Sequence, residues 1–248
     1  MMDATRGNQF DGKEDFVKEV FTEIADYYDE MNNIMTMGMI RGWHNFMMRK
    51  AGDITGKRCI DIGTGTGEIA FLLAEGAGPE GEVVAVDITP RMIELAKEKM
   101  SSREIGKDVI FMVDDALGLD QRDDHFDLVT SGYMLRNVTD IPKALEEMHR
   151  ILKDGGMAIV AELAQPRNRL IRFFYDLYIK HRVLRHGRRF DKGQSVGGKM
   201  PAYDWLTKSM EGFPFGKEMA QLFRDAGFKD VRYHVKSMGA VNIYVARK

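Results

Sequence analysis

Apolar side chains recur at helical spacing near the start of the chain. Between Asp15 and Met31 they fall at Phe16, Val20, Phe21, Ile24, Tyr27, Tyr28 and Met31. Because this spacing places them on one face of a helix, it predicts an N-terminal amphipathic helix. A second helical stretch runs from Met39 to Lys50 and ends before Gly52. We therefore expect two cap helices, within residues 10–52, ahead of the first strand.

From residue 57 onward, short apolar runs alternate with helical stretches. The runs predicted as strands are Arg58–Ile62, Val83–Asp87, Val109–Val113, Phe126–Ser131 and Met157–Glu162. The stretches predicted as helices are Glu68–Glu75, Arg91–Met100 and Ile141–Leu152. Such alternation is typical of βα units, which build a mostly parallel sheet covered by helices. The expected fold is α/β, a Rossmann-like doubly wound sheet, in a single domain over residues 1–248.

The end of the chain departs from this alternation. After a helix predicted from about Gly216 to Ala226, two strand-like runs, Val231–Lys236 and Ala240–Ala246, follow each other closely. The turn between them is too short for a crossover helix, so these two strands are expected to pair antiparallel.

An insertion, residues 165–212, separates the fifth strand from this tail. Between Arg167 and Lys199, ten Lys and Arg residues and only two acids are interleaved with apolar side chains, many of them aromatic. A segment of this kind fits anionic head groups and the tail of a lipid-like substrate. A helical lid whose apolar face packs on the core explains the same pattern. Either way, we expect a lid beside the substrate site.

Composition excludes several classes of function. The 36 basic and 38 acidic side chains give a formal net charge of -2, which provides no overall field to attract nucleic acid. The single cysteine, Cys59, cannot form an internal disulfide, which favours the cytoplasm. No run of about 18 apolar residues indicates a membrane span, and no ligand spacing indicates a metal. Membrane contact would be peripheral, and a homodimer is compatible with the sequence.

Three alternating glycines follow the first predicted strand. Gly63, Gly65 and Gly67 stand between that strand and a helix that begins near Glu68. Glycines at these positions let the backbone turn sharply and let a ligand approach it with no Cβ in the way. A plain strand-to-helix turn rarely needs three of them, so the loop predicts a cofactor site.

Two classes of cofactor fit this loop. The dinucleotide pattern of nicotinamide enzymes can be laid on Gly65 to Ala70, and Asp87 follows Gly65 by 22 residues, where a ribose-binding acid is expected. The glycines, however, begin at Gly63, and Asp61 lies just upstream. A carboxylate there would attract the sulfonium and ammonium of S-adenosylmethionine and repel a pyrophosphate. The acids therefore favour S-adenosylmethionine.

The ends of the second and third strands extend the candidate cofactor site. Asp87 can bind both ribose hydroxyls while Ile88 and Met92 flank the adenine, although a carboxylate that only caps the next helix is the alternative. Asp114-Asp115-Ala116 offers a carboxylate to the adenine amino group, and an ordinary loop explains these residues equally well.

The segment after the fourth strand is the candidate substrate side. Ligands of open α/β sheets bind at the carboxyl ends of the strands, which directs Arg136 and Asn137 toward a substrate. Bracing of the loop, with Arg136 paired to an acid, is the alternative. The Asn/Asp-Pro-Pro-Tyr/Phe pattern of many nucleobase N-methyltransferases is absent from the sequence.

Several short stretches together carry a resemblance to a known family. The main ones are Tyr28-Asp29-Glu30-Met31-Asn32, Asp61 to Gly67, Leu135-Arg136-Asn137-Val138-Thr139-Asp140, Leu152-Lys153-Asp154-Gly155-Gly156 and Ala226-Gly227-Phe228. In these stretches the chain resembles the ubiquinone/menaquinone biosynthesis C-methyltransferases, the UbiE/MenG type. The resemblance extends over about residues 16–246.

The resemblance implies a seven-stranded sheet with its last strand antiparallel and methylation of a ring carbon in a polyprenylated demethylmenaquinol or benzoquinol. By matching positions, it implies cofactor contacts at Thr66, Asp87, Asp115, Ala116 and Gly132. Gly132 stands where a serine is usual in that family. The next two residues, Tyr133-Met134, stand where Phe-Gly is usual. These differences leave the cofactor expectation intact and the identity of the quinone open.

The chemistry of such a reaction assigns roles on the substrate side. A hydroquinone carbon is a weak nucleophile until an adjacent hydroxyl loses its proton, so the site must favour a phenolate and hold that carbon in line with the methyl group. Arg136 would stabilise the phenolate or orient a water, Asn137 would fix its geometry, and Tyr28 and Tyr133 would wall the pocket. The alternatives are methylation of a phenol, sterol or amine, a nicotinamide oxidoreductase, and a non-catalytic cofactor-binding protein.

Overall fold

One seven-stranded sheet organises the residues that the computed structural model describes, 10–103, 108–190 and 193–248. Its strand order is β3-β2-β1-β4-β5-β7-β6. The strands are β1 Arg58–Ile62, β2 Glu82–Asp87, β3 Ile110–Val113, β4 Phe126–Gly132, β5 Leu152–Leu163, β6 Lys229–Lys236 and β7 Val241–Arg247. Strands β1 to β5 pair parallel, and β7 runs antiparallel to both β5 and β6. The predicted Rossmann-like sheet with an antiparallel last strand is confirmed.

Helices cover both faces of this sheet. They are α3 Ile40–Ala51, α4 Glu68–Ala77, α5 Pro90–Ser101, α6 Ile141–Ile151 and α10 Lys217–Asp225. One core cluster joins α6 and α10 to the sheet, and another joins α3 and α4 to the opposite face. Burial on both faces explains why the inner strands are continuous apolar runs in the sequence.

Strand β5 begins earlier than the apolar pattern predicted. It starts at Leu152, directly after α6, rather than at Met157. The register against β4 shifts between Phe126 and Leu128, and Gly155 takes the positive φ of 75° inside this excursion. The polar residues after Leu152 therefore belong to an irregular start of the strand, which a search for apolar runs passes over.

The single N-terminal helix predicted over Asp15 to Met31 is wrong at its middle. The structure has α1 Lys13–Ile24, a 3₁₀ turn Ala25–Tyr27 and α2 Tyr28–Met35. Helix α1 packs its apolar face on the insertion, whereas α2 carries Tyr28 over the glycine loop, with a ring carbon 3.6 Å from a Cβ built at Gly65. A straight helix could not reach both places, so the chain bends between them.

The insertion, for which we keep the name lid, is helical over most of its described residues. It contains α7 Arg169–Tyr178, a π-helical turn Ile179–Val183, α8 Leu184–Phe190 and α9 Ala202–Lys208. Helix α9 packs on the core, with the Trp205 ring 5.4 Å from that of Phe16. Helix α7, in contrast, buries none of its residues. Within the described ranges, no helix combines the length and apolarity that crossing a membrane requires.

Candidate active site

A cleft at the carboxyl ends of β1 to β4 gathers most of the predicted cofactor residues. Its lining includes Gly63, Gly65, Asp87, Ile88, Met92, Asp115, Ala116 and Gly132. Residues from the other side of the site, Tyr28, Tyr133 and Asn137, also line it. The sheet brings these side chains together because parallel strands end at one edge, so loops far apart in sequence share a rim.

The glycines of the loop serve two different purposes. Gly63 and Gly65 have positive φ values of 69° and 55° and line the cleft. A Cβ at Gly63 would lie 2.5 Å from Cγ of Met134, so any larger residue would displace the substrate-side loop. Gly67 does not line the cleft. A Cβ there would lie 2.9 Å from the Phe71 ring, so this glycine lets α4 pack closely.

Asp87 connects the glycine loop to the start of α5. Its Oδ2 accepts a hydrogen bond from the Gly65 N–H at 2.8 Å, and its Oδ1 accepts one from the Thr89 N–H at 2.9 Å. The N-cap residue of α5 is Thr89, so Asp87 is not the cap itself. Burial raises the pKa of Asp87. Each carboxylate oxygen keeps a further lone pair, which two ribose hydroxyls can use.

Asp61 lies beneath the loop and does not line the cleft. Its side chain is buried, and its Oδ1 accepts a hydrogen bond from the Thr130 hydroxyl at 2.7 Å. Burial raises the pKa of this carboxyl to about 7. Asp61 thus lies one layer below the cleft lining, and its predicted direct contact with a cation stays a prediction.

Asp115 and its neighbour Asp114 brace their own loop. Asp115 accepts a hydrogen bond from the Leu117 N–H at 3.0 Å, and Asp114 accepts one from the Asp120 N–H at 3.0 Å. The ordinary-loop interpretation of these acids therefore holds. Asp115 and Ala116 also line the cleft, so the cofactor interpretation stands beside it.

A second, polar cleft lies on the other side of Tyr28. Thr66 is part of it, and its hydroxyl donates to Asp29 Oδ1 at 2.6 Å, which ties α2 to the glycine loop. His44 also lines this cleft, with its ring 6.2 Å from that of Tyr133. Burial lowers the pKa of His44 to about 4, so its imidazole is neutral at physiological pH. His44 lies in the helical stretch predicted from Met39 to Lys50, and no separate role was predicted for it.

An apolar cavity of about 370 Å³ lies between the cap helices, the lid and the turn after β6. Its lining includes Met35, Ile40, Trp43, Leu163, Ile171, Phe174, Tyr175, Leu206 and Met210. Among the described residues that line it, Arg136 alone carries a full charge. The cavity suits a large apolar ligand that has one polar or anionic group.

Tyr28 and Tyr133 stand where these three spaces meet, since both line all of them. Tyr133 has a left-handed backbone, with φ at 61°. Its N–H donates to the Ala161 carbonyl at 2.7 Å, and its own carbonyl accepts from Arg136 Nη1 at 2.6 Å. These bonds hold a conformation that costs a bulky residue free energy.

Arg136 is paired with a buried acid, Glu162. Their side chains are 5% and 1% exposed, with 3.4 Å between Nη1 and Oε2. The other carboxylate oxygen of Glu162 accepts a hydrogen bond from the Leu135 N–H at 2.5 Å. Burial raises the pKa of Glu162 to about 7, and the Arg136 charge opposes that rise. Arg136 thus braces the loop, as the alternative interpretation expected, and it also lines the apolar cavity, so its role toward a substrate stays a prediction.

Asn137 fixes the loop rather than the arginine. Its Oδ1 accepts a hydrogen bond from the Trp205 indole at 3.3 Å, and its Nδ2 donates to the Tyr133 carbonyl at 3.3 Å. Both Asn137 and Arg136 donate to the Tyr133 carbonyl, so Asn137 affects the arginine only through this shared acceptor. Its contact with Trp205 also joins the substrate loop to the lid.

Comparison with known proteins identifies the family. The model of the ubiE/COQ5 methyltransferase family matches residues 9–248. The chain belongs to this family. It is 38% identical to a demethylmenaquinone methyltransferase of Roseiflexus castenholzii, over 96% of this chain and 95% of the relative. It is 35% identical to that of Geobacillus kaustophilus, over 95% of this chain and 98% of the relative.

Solved structures show the same fold at much lower identity. A SAM-dependent methyltransferase from Aquifex aeolicus is 17% identical and superposes with a TM-score of 0.59, over 83% of this chain and 89% of that one. A putative S-adenosyl-L-methionine-dependent methyltransferase from Methanococcus maripaludis is 18% identical, with a TM-score of 0.62 over 92% and 93% of the two chains.

A member of the ubiE/COQ5 family is an S-adenosylmethionine-dependent methyltransferase, and the residues of the cleft fit that cofactor. Gly63 and Gly65 present backbone without side chains, and Asp87 presents two carboxylate oxygens with spare lone pairs. Membership of this methyltransferase family excludes the alternative of a nicotinamide oxidoreductase. The described residues contain no cluster of three or more His, Cys, Asp or Glu side chains that could hold a metal.

Two buried charged residues of the site, Glu162 and Lys13, were not predicted as site residues from the sequence. Glu162 was predicted only as the last residue of the strand Met157–Glu162. Lys13 donates from Nζ to the Val138 carbonyl at 2.6 Å, and burial lowers its pKa to about 8. Lys13 precedes Phe16, Val17 and Val20 at helical spacing, so its place on the buried face of α1 was a signal that could have been used.

At position 132 this member has no side chain. A Cβ there would lie 2.7 Å from Cδ1 of Ile69, so a serine at this position would require that side chain to move. The Ile69 side chain thus fills the space beside the cofactor cleft that a side chain at position 132 would need.

Proposed function

We propose that this protein transfers the methyl group of S-adenosylmethionine to a ring carbon of a polyprenylated quinol of the demethylmenaquinol type. The observation that carries the proposal is the apolar cavity that meets the cofactor cleft at Tyr133 and has Arg136 as its charged lining residue. The relatives named as demethylmenaquinone methyltransferases support the choice of acceptor. The flat ring and long apolar tail of such a quinol fit the apolar lining, and its ring hydroxyl can pair with the Arg136 guanidinium.

The side chains of the cavity have distinct tasks in this reaction. Bound S-adenosylmethionine supplies a methyl group on a positively charged sulfur. A new bond joins the ring carbon to that methyl group as the bond from sulfur to methyl breaks, and the ring carbon then passes its proton to solvent water, which restores the aromatic ring. Arg136 favours the ionised hydroxyl that activates the carbon, because a fixed cation in a low-dielectric site stabilises a phenolate. Tyr28 and Tyr133 limit the orientations of the ring.

The proposal includes docking of the enzyme on the cytoplasmic face of an anionic membrane, where such a quinol resides. Exposed apolar side chains lie at or near the cavity on three segments: α7, the turn between α2 and α3, and the turn after β6. They are Met37, Met39, Leu170, Phe173, Phe174, Leu177 and Met238. Arg169 and Arg172 lie on the same helix and can meet anionic head groups. Apolar side chains in water around the entrance to an apolar cavity suggest that a lipid surface covers them.

A vesicle sedimentation assay tests the docking. The protein should bind anionic vesicles at low salt and bind neutral ones weakly. Replacing Leu170 and Phe173 with Ser should reduce binding at least about tenfold, because two exposed apolar anchors are lost. Val113→Ser is the matched control, since Val113 is 54% exposed on the distant edge strand β3. Equal loss in the control, or no binding at any salt concentration, would contradict docking through α7.

The acceptor is tested with labelled S-adenosylmethionine and a panel of compounds. The panel contains a reduced short-chain demethylmenaquinol, its oxidised form, a simple phenol, a sterol and an aromatic amine. Label should enter the reduced quinol, and mass spectrometry with NMR should locate the new methyl group on the ring carbon. Methylation of oxygen or nitrogen, or preference for the sterol or amine, would reject the proposed substrate.

A further inference from the structure

Two residues that line the apolar cavity each carry a buried hydrogen-bond donor without a partner. Within the described ranges, the Tyr133 hydroxyl and the Arg136 Nε–H make no hydrogen bond, although both atoms are buried. Both side chains line the same cavity. The far end of Arg136 is engaged, because Nη1 donates to the Tyr133 carbonyl at 2.6 Å. Buried polar groups without partners are uncommon in folded proteins, and they often mark sites that a ligand completes.

The surrounding structure holds the backbone of Tyr133 in an unfavourable conformation. Its φ of 61° is unfavourable for a bulky side chain, and the Tyr133 N–H bond to the Ala161 carbonyl fixes it at the end of β4. The aromatic ring then stands at the junction of the cofactor cleft and the cavity. A strained residue with an unsatisfied hydroxyl at a cofactor–substrate junction is typical of a functional position.

The surroundings also keep this hydroxyl protonated. Burial raises the pKa of Tyr133 far above its usual range, the Glu162 carboxylate adds to the rise, and Arg136 opposes it. Tyr133 therefore acts as a neutral donor at physiological pH. Arg136 contacts both of the other residues, with its Nη1 2.6 Å from the Tyr133 carbonyl and 3.4 Å from Glu162 Oε2.

We propose that the Tyr133 hydroxyl and the Arg136 Nε–H together donate hydrogen bonds to one oxygen of the substrate, the ring hydroxyl that ionises during methyl transfer. Two donors on a single oxygen favour its anionic form, as in an oxyanion hole. Tyr133 is then a specificity residue, because it selects acceptors with an oxygen beside the reacting carbon. This role rests on the proposed quinol methylation and adds a second donor to it.

Tyr133→Phe tests the proposal because it removes one oxygen atom and little else. The lost hydroxyl has no protein partner, so the melting temperature should stay or rise, and S-adenosylmethionine binding should not change. The kcat/KM for the reduced quinol should fall about 10- to 100-fold. The rising limb of the pH–rate profile should move to higher pH, because the quinol loses a donor that favours its ionised form. A structural role alone would lower the melting temperature and leave the pH profile in place.

Tyr244→Phe is the matched control. The Tyr244 hydroxyl accepts a hydrogen bond from the Gly216 N–H at 2.8 Å and lies away from the cavity. Its removal orphans a buried N–H, so Tyr244→Phe should lower the melting temperature while kcat/KM per folded molecule is unchanged. The two variants should therefore show opposite patterns. A Tyr133→Phe enzyme with unaltered kcat/KM and pH profile would overturn the proposal.

A binding arm separates this inference from the proposed substrate. With S-adenosylhomocysteine present, 1,4-dihydroxynaphthalene and naphthalene are titrated while the fluorescence of Trp43, which lines the cavity, is followed. Tyr133→Phe should weaken the diol about tenfold and leave naphthalene unchanged. If that difference holds but demethylmenaquinol is not methylated, the substrate is wrong and the oxygen-binding role stands. Equal weakening of both compounds would overturn the role, whatever the turnover assay shows.

Discussion

The cofactor cleft and the apolar cavity meet at Tyr133 but are built in different ways. The cleft lies over the ends of β1 to β4 and the loops that follow them, where Asp87 supplies a carboxylate, and residues of α1 and α2 line its other side. The cavity is assembled from the cap helices, the loop after β4, the lid and the turn after β6. One site is thus built mainly on the sheet, and the other depends on how separate segments pack over it. Damage to one site should therefore spare the other.

The largest effect should follow from Glu162→Gln on the cavity side. At pH 8, above the raised pKa of Glu162, this change leaves the buried Arg136 without its counter-charge, and breaking such a pair costs about 3–5 kcal/mol. The melting temperature should fall by roughly 10 °C or more, and quinol turnover should fall with it. The affinity for S-adenosylmethionine in the protein that remains folded should change less than about threefold. Calorimetry and cofactor titration, with the exposed Glu146→Gln as control, measure these effects. A parallel loss of cofactor affinity would show that the two sites are not separate.

The converse change is Asp87→Asn on the cofactor side. The amide keeps one acceptor but loses the charge and places an NH₂ group against the Gly65 or Thr89 N–H. Hydrogen bonds to charged groups contribute about 1.5–3 kcal/mol, so the dissociation constant for S-adenosylmethionine should rise about 10- to 100-fold. Binding of 1,4-dihydroxynaphthalene in the cavity should hardly change. Isothermal titration of both ligands into the variant measures these affinities. The control is Asp120→Asn, since Asp120 is exposed.

A smaller effect is expected from Asp61, beneath the cleft. Burial raises its pKa to about 7, whereas an unfolded chain has an aspartate pKa near 3.9. Between these values the folded state holds a proton that the unfolded state has released, so this carboxyl lowers stability as the pH rises. Asp61→Asn should gain melting temperature relative to the wild type as the pH goes from about 4 to 7. Thermal unfolding across this range, with cofactor absent, measures the difference. A constant gap between the two proteins would contradict the shifted pKa.

The same contrast explains what the sequence could and could not predict. Gly63, Gly65 and Asp87 stand at or just after the ends of strands. The local sequence pattern was therefore sufficient to predict that they lie together at one rim of the sheet. Glu162 and Lys13 act on residues far away in the chain, and only the packed structure pairs them with Arg136 and Val138.

Local pattern also failed where tertiary contacts override it. The bend that separates α1 from α2 lets both helices pack on the insertion while Tyr28 of α2 reaches over the glycine loop. Asp61 and Gly67 belong to the predicted loop motif, yet one lies below the cleft and the other serves helix packing. The motif located the loop correctly, but it did not say which of its side chains face a ligand.

Arg136→Ala with saturating cofactor tests the central claim most directly, which is that cofactor binding and acceptor activation belong to separate sites. Labelled S-adenosylmethionine would be bound first, and a single turnover started with reduced demethylmenaquinol. We predict a cofactor affinity within about threefold of the wild type and a methyl-transfer rate at least about 100-fold slower. A normal transfer rate, or a loss of cofactor affinity that alone accounts for the slower rate, would contradict the account.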